Sequence, residues 1–315
     1  MHILAITTLA KNSPSPAIED HLEALRAHNV TFDMLYIDKG DKRGYLRALW
    51  TVFRTMFQAK RYDIIHAFYG HCGMIARCQF RSPVIVTFQG SDLLGGVDQT
   101  MHAKDGMIGR FVARIVDSII VMTEQMKRIS KREDAFVIPF GIETKIFHPC
   151  PQPQAREMLN LPLDSKLVLF PWDPARVEKN YYIAEEAVSI LCAQGVNAQL
   201  VPVFAKPREE VALYMNACDV LIMVSDHEGS PVAVREAMGC GLPIVTVDVG
   251  DVAPFIQEVE GCFLCTWTPQ DAAEKLSQVF RRNARITAPS IVEKDVQWAA
   301  HRIMQVYNRT LKMPV

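Results

Sequence analysis

The chain has 315 residues, of which 49% are hydrophobic and 22% charged, and its formal net charge is −1. That length allows roughly two domains, and the near-neutral charge offers no bulk attraction to nucleic acid. Mean hydropathy is +0.06 and the longest apolar runs fall short of the ~18 residues a spanning helix needs, so no transmembrane helix is expected.

Taken in chain order, the first half alternates apolar runs with amphipathic stretches. Strands are expected over 2–6, 31–37, 64–67, 84–88, 118–122 and 136–138, with helices over 17–28, 45–60, 108–116 and 124–130. The opening MHILAITT reads as a short buried strand. It lacks the charged start, long apolar core and cleavage site of a secretory leader. Pro139-Phe-Gly141, Phe147-His-Pro149, Pro151 and Pro153 make a turn-rich break, which places a boundary after residue 147. The alternation then restarts. Strands are expected over 167–170, 199–203, 220–224, 244–247 and 262–264, and helices over 184–194, 209–218, 232–239, 271–282 and 296–311. This is the α/β pattern of two doubly wound, Rossmann-like domains facing across a cleft. Ligands of such sheets bind beyond the carboxyl ends of the strands.

Eight cysteines are scattered through apolar surroundings and read as buried reduced thiols of a cytoplasmic protein. Cys262-Phe-Leu-Cys265 has metal-like spacing, but no second pair or histidine stands near it, so no metal or cofactor is expected.

The segment SDHEGSPVAVREAMGCGLPIVTVDVG, residues 225–250, is the most informative. It reads as loop, helix, loop and strand, and follows the apolar strand that begins at Val220. Pro231 is tolerated in a first helical turn, because its missing N–H has no intrahelical partner there. Gly229 lets backbone approach a ligand closely. The helix start offers free N–H groups and a positive dipole end, which suits an anion. Glu228 and Glu236 lie eight residues apart, too far to share a proton. Each is placed to accept hydroxyl hydrogen bonds from a different part of one ligand. The competing reading is a capped helix with two solvated glutamates.

Those residues resemble the group 1 retaining glycosyltransferases of the GT-B fold, whose hallmark is a Glu-x7-Glu element such as Glu228 to Glu236. Tyr62-Asp-Ile-Ile-His66, Gln89-Gly-Ser-Asp92, residues 137–149, Phe170 to Asn180 and Val211 to Asp219 follow in that family's order. The flavour is similar to bacterial cell-surface polysaccharide enzymes such as those of teichuronic acid synthesis. The resemblance implies an acceptor-side domain over 1–147, a nucleotide-sugar domain over 148–294, and a C-terminal helix over 295–315 that packs back on the first domain.

Further roles are implied by the resemblance alone. Lys179, with Arg176 as companion, would neutralise the donor diphosphate. Glu236 would hold the ribose hydroxyls and Glu228 those of the donor sugar. The backbone of Gly229, Ser230, Pro231 and Val232 would lie against sugar and phosphate. Asp92, Gly90 and His66 would line the acceptor side, although a lone strand-end histidine is more often structural. The chain departs from the pattern in three places. Gln89 stands where relatives carry a histidine that hydrogen-bonds the donor sugar near the reacting carbon. Trp172 replaces a glycine beside the diphosphate, where it could crowd the pocket or stack on a ligand. Lys11-Asn-Ser-Pro-Ser-Pro16 replaces a glycine-rich loop.

A second feature is YLRALWTVFRTMF, residues 45–57. Leu46, Leu49, Trp50, Phe53, Met56 and Phe57 share a face, flanked by Lys42, Arg43, Arg47, Arg54, Lys60 and Arg61. The helix either packs on its sheet or contacts an anionic membrane through residues 42–61.

The expected activity is sugar transfer from a nucleotide-diphosphate donor to a saccharide or lipid-linked acceptor, in the cytoplasm or at the inner face of its membrane. A nucleotide-sugar epimerase or hydrolase on the same fold stands as the alternative, as does a non-catalytic sugar-nucleotide scaffold. No Gly-x-Gly-x-x-Gly follows the first strand, which disfavours a dinucleotide oxidoreductase.

Overall fold

The structure is a computed structural model that describes residues 1–9, 14–38, 41–58, 61–95 and 102–312. The expected departure at Lys11–Pro16 lies largely outside the described residues. The chain divides into one unit formed by Met1–Gly141 with Val296–Val315 and a second formed by Ile142–Asp295. The boundary precedes the expected one because Ile142 and Phe147, both 1% exposed, belong to the core of the second unit.

In the first unit the elements are β1 (His2–Leu9), α1 (Pro16–Arg26), β2 (Thr31–Asp38), α2 (Lys42–Arg54), β3 (Ile64–Phe68), α3 (Gly70–Ala76), β4 (Val84–Phe88), α4 (Ser91–Leu94), α5 (His102–Ile115), β5 (Ser118–Val121), α6 (Glu124–Ser130) and β6 (Phe136–Val137). The second unit holds α7 (Gln152–Met158), β7 (Lys166–Phe170), α8 (Tyr181–Ala193), β8 (Ala198–Pro202), α9 (Arg208–Ala217), β9 (Val220–Met223), α10 (Val232–Gly239), β10 (Ile244–Thr246), α11 (Val252–Glu258), β11 (Phe263–Leu264), α12 (Pro269–Arg282) and α13 (Pro289–Val292). The last helix, α14 (Val296–Thr310), returns to the first unit and packs on α1.

Both sheets are wholly parallel. Their orders are β2-β1-β3-β4-β5-β6 and β11-β10-β9-β7-β8. Strands β3, β4 and β9 are buried along their whole length, because helices cover both faces of a parallel sheet.

Several short helices are absent from the sequence expectations for local reasons. Helix α3 begins at Gly70 and contains Gly73, and glycine disfavours a helix interior by ~1 kcal/mol. Helix α7 sits in the proline-rich break, where Pro151 is its N-cap. Helix α11 contains Pro254, tolerated because it falls in the first turn. Helix α2 ends at Arg54 rather than residue 60, and a 3-10 turn, Thr55–Phe57, follows it.

Two histidines and one aspartate, groups that titrate at or below neutral pH, are buried in the first unit. His66, expected on an acceptor wall, is corrected to a core residue with 0% exposure. Its ring lies between the Tyr307 hydroxyl and Thr87 Oγ1, 2.7 Å from each. Burial holds its pKa down at about 3, and that of His21, whose Nε2 accepts from the Gly141 N–H at 3.0 Å, at about 4. Burial raises Asp92 to about 6, against the pull of backbone N–H donors.

The signs give a pH dependence. Between about pH 6 and pH 4 the unfolded chain protonates both histidines, whose ordinary value is 6.5, while the folded unit protonates only Asp92. The histidines contribute stability above 6.5 that is lost as pH falls toward their folded values. Asp92 acts oppositely and offsets one of the two protons. The net is about one proton, or a fall of roughly 1.4 kcal/mol per pH unit from these groups. Urea unfolding across that range measures it. In His66→Gln the slope from these groups should approach zero, and an unchanged slope would overturn the assignment.

Candidate active site

The order of the second sheet creates a switch point between β7 and β9. From β7 the chain winds outward to β8, and from β9 it winds the other way to β10 and β11. The loops leaving the carboxyl ends of β7 and β9 therefore part there, which is where open α/β sheets hold ligands. The first loop runs from Pro171 to Asn180 and the second from Val224 to Pro231.

These loops are tied to each other by hydrogen bonds. The Asp226 N–H donates to the Glu178 carbonyl at 3.0 Å. Asn180 Nδ2 donates to the Val224 carbonyl at 3.0 Å and to Asp226 Oδ1 at 2.5 Å. Asn180 adopts φ 52°, a left-handed conformation asparagine tolerates better than most residues. The turn it makes carries Lys179 onto Glu228, where Nζ donates to Oε1. Their side chains are 5% and 15% exposed. Lys179 Nζ also lies 4.9 Å from the centroid of the Trp172 ring. Trp172 is thus neither a plug nor a free platform. It packs on the core and Phe170, and it seats the lysine through a cation–π contact.

Arg176, expected beside Lys179, pairs instead with Glu178 at 2.6 Å, with half its side chain exposed. Its guanidinium is thus engaged by Glu178 rather than by Glu228. On the other side, α10 starts at Val232 after Pro231. Ser230 Oγ donates to Asp251 Oδ2 at 3.0 Å, and Arg235 Nη2 reaches the same oxygen at 2.5 Å. Burial pushes the Asp251 carboxyl up, against the pull of Arg235. Beneath the loop, Gly250 has φ 64°, and a Cβ there would lie 2.7 Å from the Gly229 carbonyl oxygen. Only glycine allows that approach. Glu236 meets Arg208 Nη2, from the first residue of α9, at 3.3 Å, and the Arg208 guanidinium lies over Phe147.

In the first unit, Gln89, Gly90 and Asp92 form one tight turn. Asp92 Oδ1 accepts from the Gln89 and Gly90 N–H groups at 3.0 and 2.9 Å, and Oδ2 accepts from Gly70 at 3.1 Å. Asp92 is 6% exposed and Gly90 has φ 152°, so both shape the turn. Gln89 Nε2 is buried without a hydrogen-bond partner among the described residues, a donor such a site ordinarily satisfies.

Several site residues went unnoticed in the sequence: Arg208, Asn180, Asp226, Arg235, Asp251 and Tyr69. Most act through partners distant in sequence. Tyr69 follows β3 at φ 76°, a conformation costly for a bulky residue and concentrated at functional sites. Nothing in its residue type signals that.

Known proteins are similar to this chain in sequence and in fold. Residues 182–282 match the family model for glycosyl transferases group 1, and residues 4–139 match a glycosyl transferase 4-like domain. TuaC of Bacillus subtilis, assigned as a teichuronic acid biosynthesis glycosyltransferase, is 25% identical over 260 residues, covering 72% of this chain and 64% of that protein. The chain therefore spans just under two thirds of that relative's length. A D-inositol 3-phosphate glycosyltransferase of Streptosporangium roseum is 25% identical, covering 79% and 69%. Among solved structures, sucrose-phosphate synthase from Thermosynechococcus elongatus aligns with a TM-score of 0.78 at 20% identity, covering 99% of each chain. Anabaena HepE in complex with UDP and glucose aligns at 0.71 and 16% identity, covering 96% and 98%. The two matches, one in each unit, support a group 1 glycosyltransferase, and the fold is GT-B.

Proposed function

We propose that this chain transfers a sugar, with retention, from a nucleotide-diphosphate donor to an acceptor hydroxyl in the synthesis of a cell-surface polysaccharide or glycolipid. The observation that carries the reading is the Lys179–Glu228 pair at the switch point of the second sheet. A cation there meets the diphosphate, and a carboxylate beside it meets sugar hydroxyls. Glu236, one helix turn inward on α10 and oriented by Arg208, takes the ribose. The backbone of Gly229 to Val232 takes the remaining polar edge through the start of α10. UDP and UDP-glucose in the HepE structures support a nucleotide-sugar donor, and the TuaC likeness supports a cell-surface polymer.

In the reaction the bond from the sugar anomeric carbon to the phosphate oxygen breaks, and a bond to the acceptor oxygen forms on the same face. The acceptor proton passes to the leaving phosphate, which departs as nucleoside diphosphate. Lys179 stabilises the charge gained there. No metal or cofactor takes part in this scheme.

A donor panel tested by thermal shift checks the reading, because a ligand bound by the native state raises its melting temperature by mass action. One nucleotide sugar should stand out, and incubation with it should yield free nucleotide only when acceptor is present. Stabilisation by none would favour a non-catalytic scaffold, and an isomerised sugar without acceptor would favour an epimerase. Glu236→Ala should raise the donor KM about tenfold while changing kcat little, since a ribose contact is uniform in ground and transition states. Loss of kcat at unchanged KM would overturn that role.

A further inference from the structure

Helix α2 buries only a narrow strip, formed by Ala48, Val52 and the following Thr55. At 100° per residue these lie between about 220° and 280° around the axis. The opposite sector is apolar and open to solvent. Leu46 is 66% exposed, Trp50 61%, Phe53 39% and Phe57 76%. They occupy about 20° to 80° on the same wheel. Trp50 stacks on Phe53, which meets Phe57 edge-on, so the rings form one surface. Arg43, Arg47 and Arg54, all exposed, line one edge of it at about 100° to 140°. Between Lys42 and Tyr62 the sequence contains no Asp or Glu.

A soluble protein seldom leaves such a contiguous apolar face open. Its helix-packing role is already met by the opposite strip. The charge pattern selects the occupant. A second copy docked on the same face would bring arginine edges together with no acid between them, which is unfavourable. An anionic bilayer satisfies both components: the rings enter the headgroup boundary, and the arginines stay at phosphate level with their stems against the apolar edge.

We propose that the outer face of α2, continued by Phe57, is a docking surface for anionic phospholipid bilayers. It holds the first unit against the membrane without spanning it, since no described helix is long and apolar enough to cross one. The proposal is independent of the donor and the reaction assigned above.

Vesicle flotation with the full chain tests it. The protein should float with vesicles of mixed phosphatidylglycerol and phosphatidylcholine and remain below with phosphatidylcholine alone. The double variant Trp50→Ser with Phe57→Ser should lower the partition coefficient about tenfold or more. The triple variant Arg43→Gln, Arg47→Gln and Arg54→Gln should lower it by a similar factor, and so should raised salt. All altered side chains are exposed, so thermal midpoints should match the parent and confirm that the variants are folded. Absence of flotation with the mixed vesicles, or equal flotation with phosphatidylcholine alone, would overturn the proposal. So would a dimer in sedimentation velocity that the Trp50/Phe57 variant abolishes.

Discussion

Replacing Lys179 with alanine should lower kcat/KM for sugar transfer by about 10³ while leaving a folded protein. The factor follows from removing one preorganised charge contact in a partly dry site. Lys179 is 4% exposed and its ammonium sits over Trp172, so water cannot take its place cheaply. Its loss also strands Glu228, whose side chain is 15% exposed, and should cost about 1–3 kcal/mol of stability. That second effect makes a control possible. In the double variant Lys179→Ala with Glu228→Ala no carboxylate is stranded, so stability should recover while activity does not. The rate losses should also be far from additive, because the two groups act on one ligand through a shared contact. Arg176→Ala should change the rate less than tenfold, since Arg176 pairs with Glu178 at the surface. Near-normal turnover in both Lys179→Ala and Glu228→Ala would sink the mechanism.

Gly109→Ala should destabilise the first unit by about 3 kcal/mol, although alanine is the better helix former. Two effects compete. Alanine gains ~1 kcal/mol of helix propensity in α5. Its Cβ would overlap the Asp92 carbonyl oxygen and stand 3.3 Å from the Phe88 ring. The first neighbour is backbone in the first turn of α4, and it cannot swing aside as a side chain would. Relieving the overlap means moving α4 off α5, and overpacking of this kind outweighs the propensity gain. Urea unfolding monitored by circular dichroism measures the net effect. A midpoint equal to or above the parent's would show that the helices part freely.

The α/β architecture was legible in the sequence because both sheets are parallel and covered. Runs such as Val84–Phe88 and Val220–Met223 are apolar without alternation, and turn residues bound them. The short helices α3 and α11 were not legible, since glycine and proline mask them locally and packing supplies their stability. Within the site, Glu228 and Glu236 stood out by spacing along one segment. The partner of Glu228 is 49 residues away in sequence, and that of Glu236 is 28 away. Pairings of that range depend on strand order, which apolar periodicity does not report. His66 illustrates the converse. A strand-end histidine suggests a wall, but the Tyr307 hydroxyl on α14 closes over it from the far end of the chain.

The hydrogen bonds joining Asn180, Asp226 and Glu178 have a bearing on engineering this fold. They make the loop after β7 and the loop after β9 a single exchangeable cassette. Grafting either loop alone from a relative with a different donor would break the seam and misplace both Lys179 and Glu228. Grafting the pair, with the staple residues retained, moves a complete pocket wall between scaffolds. Natural drift in donor choice is under the same restriction, so changes in the two loops should travel together.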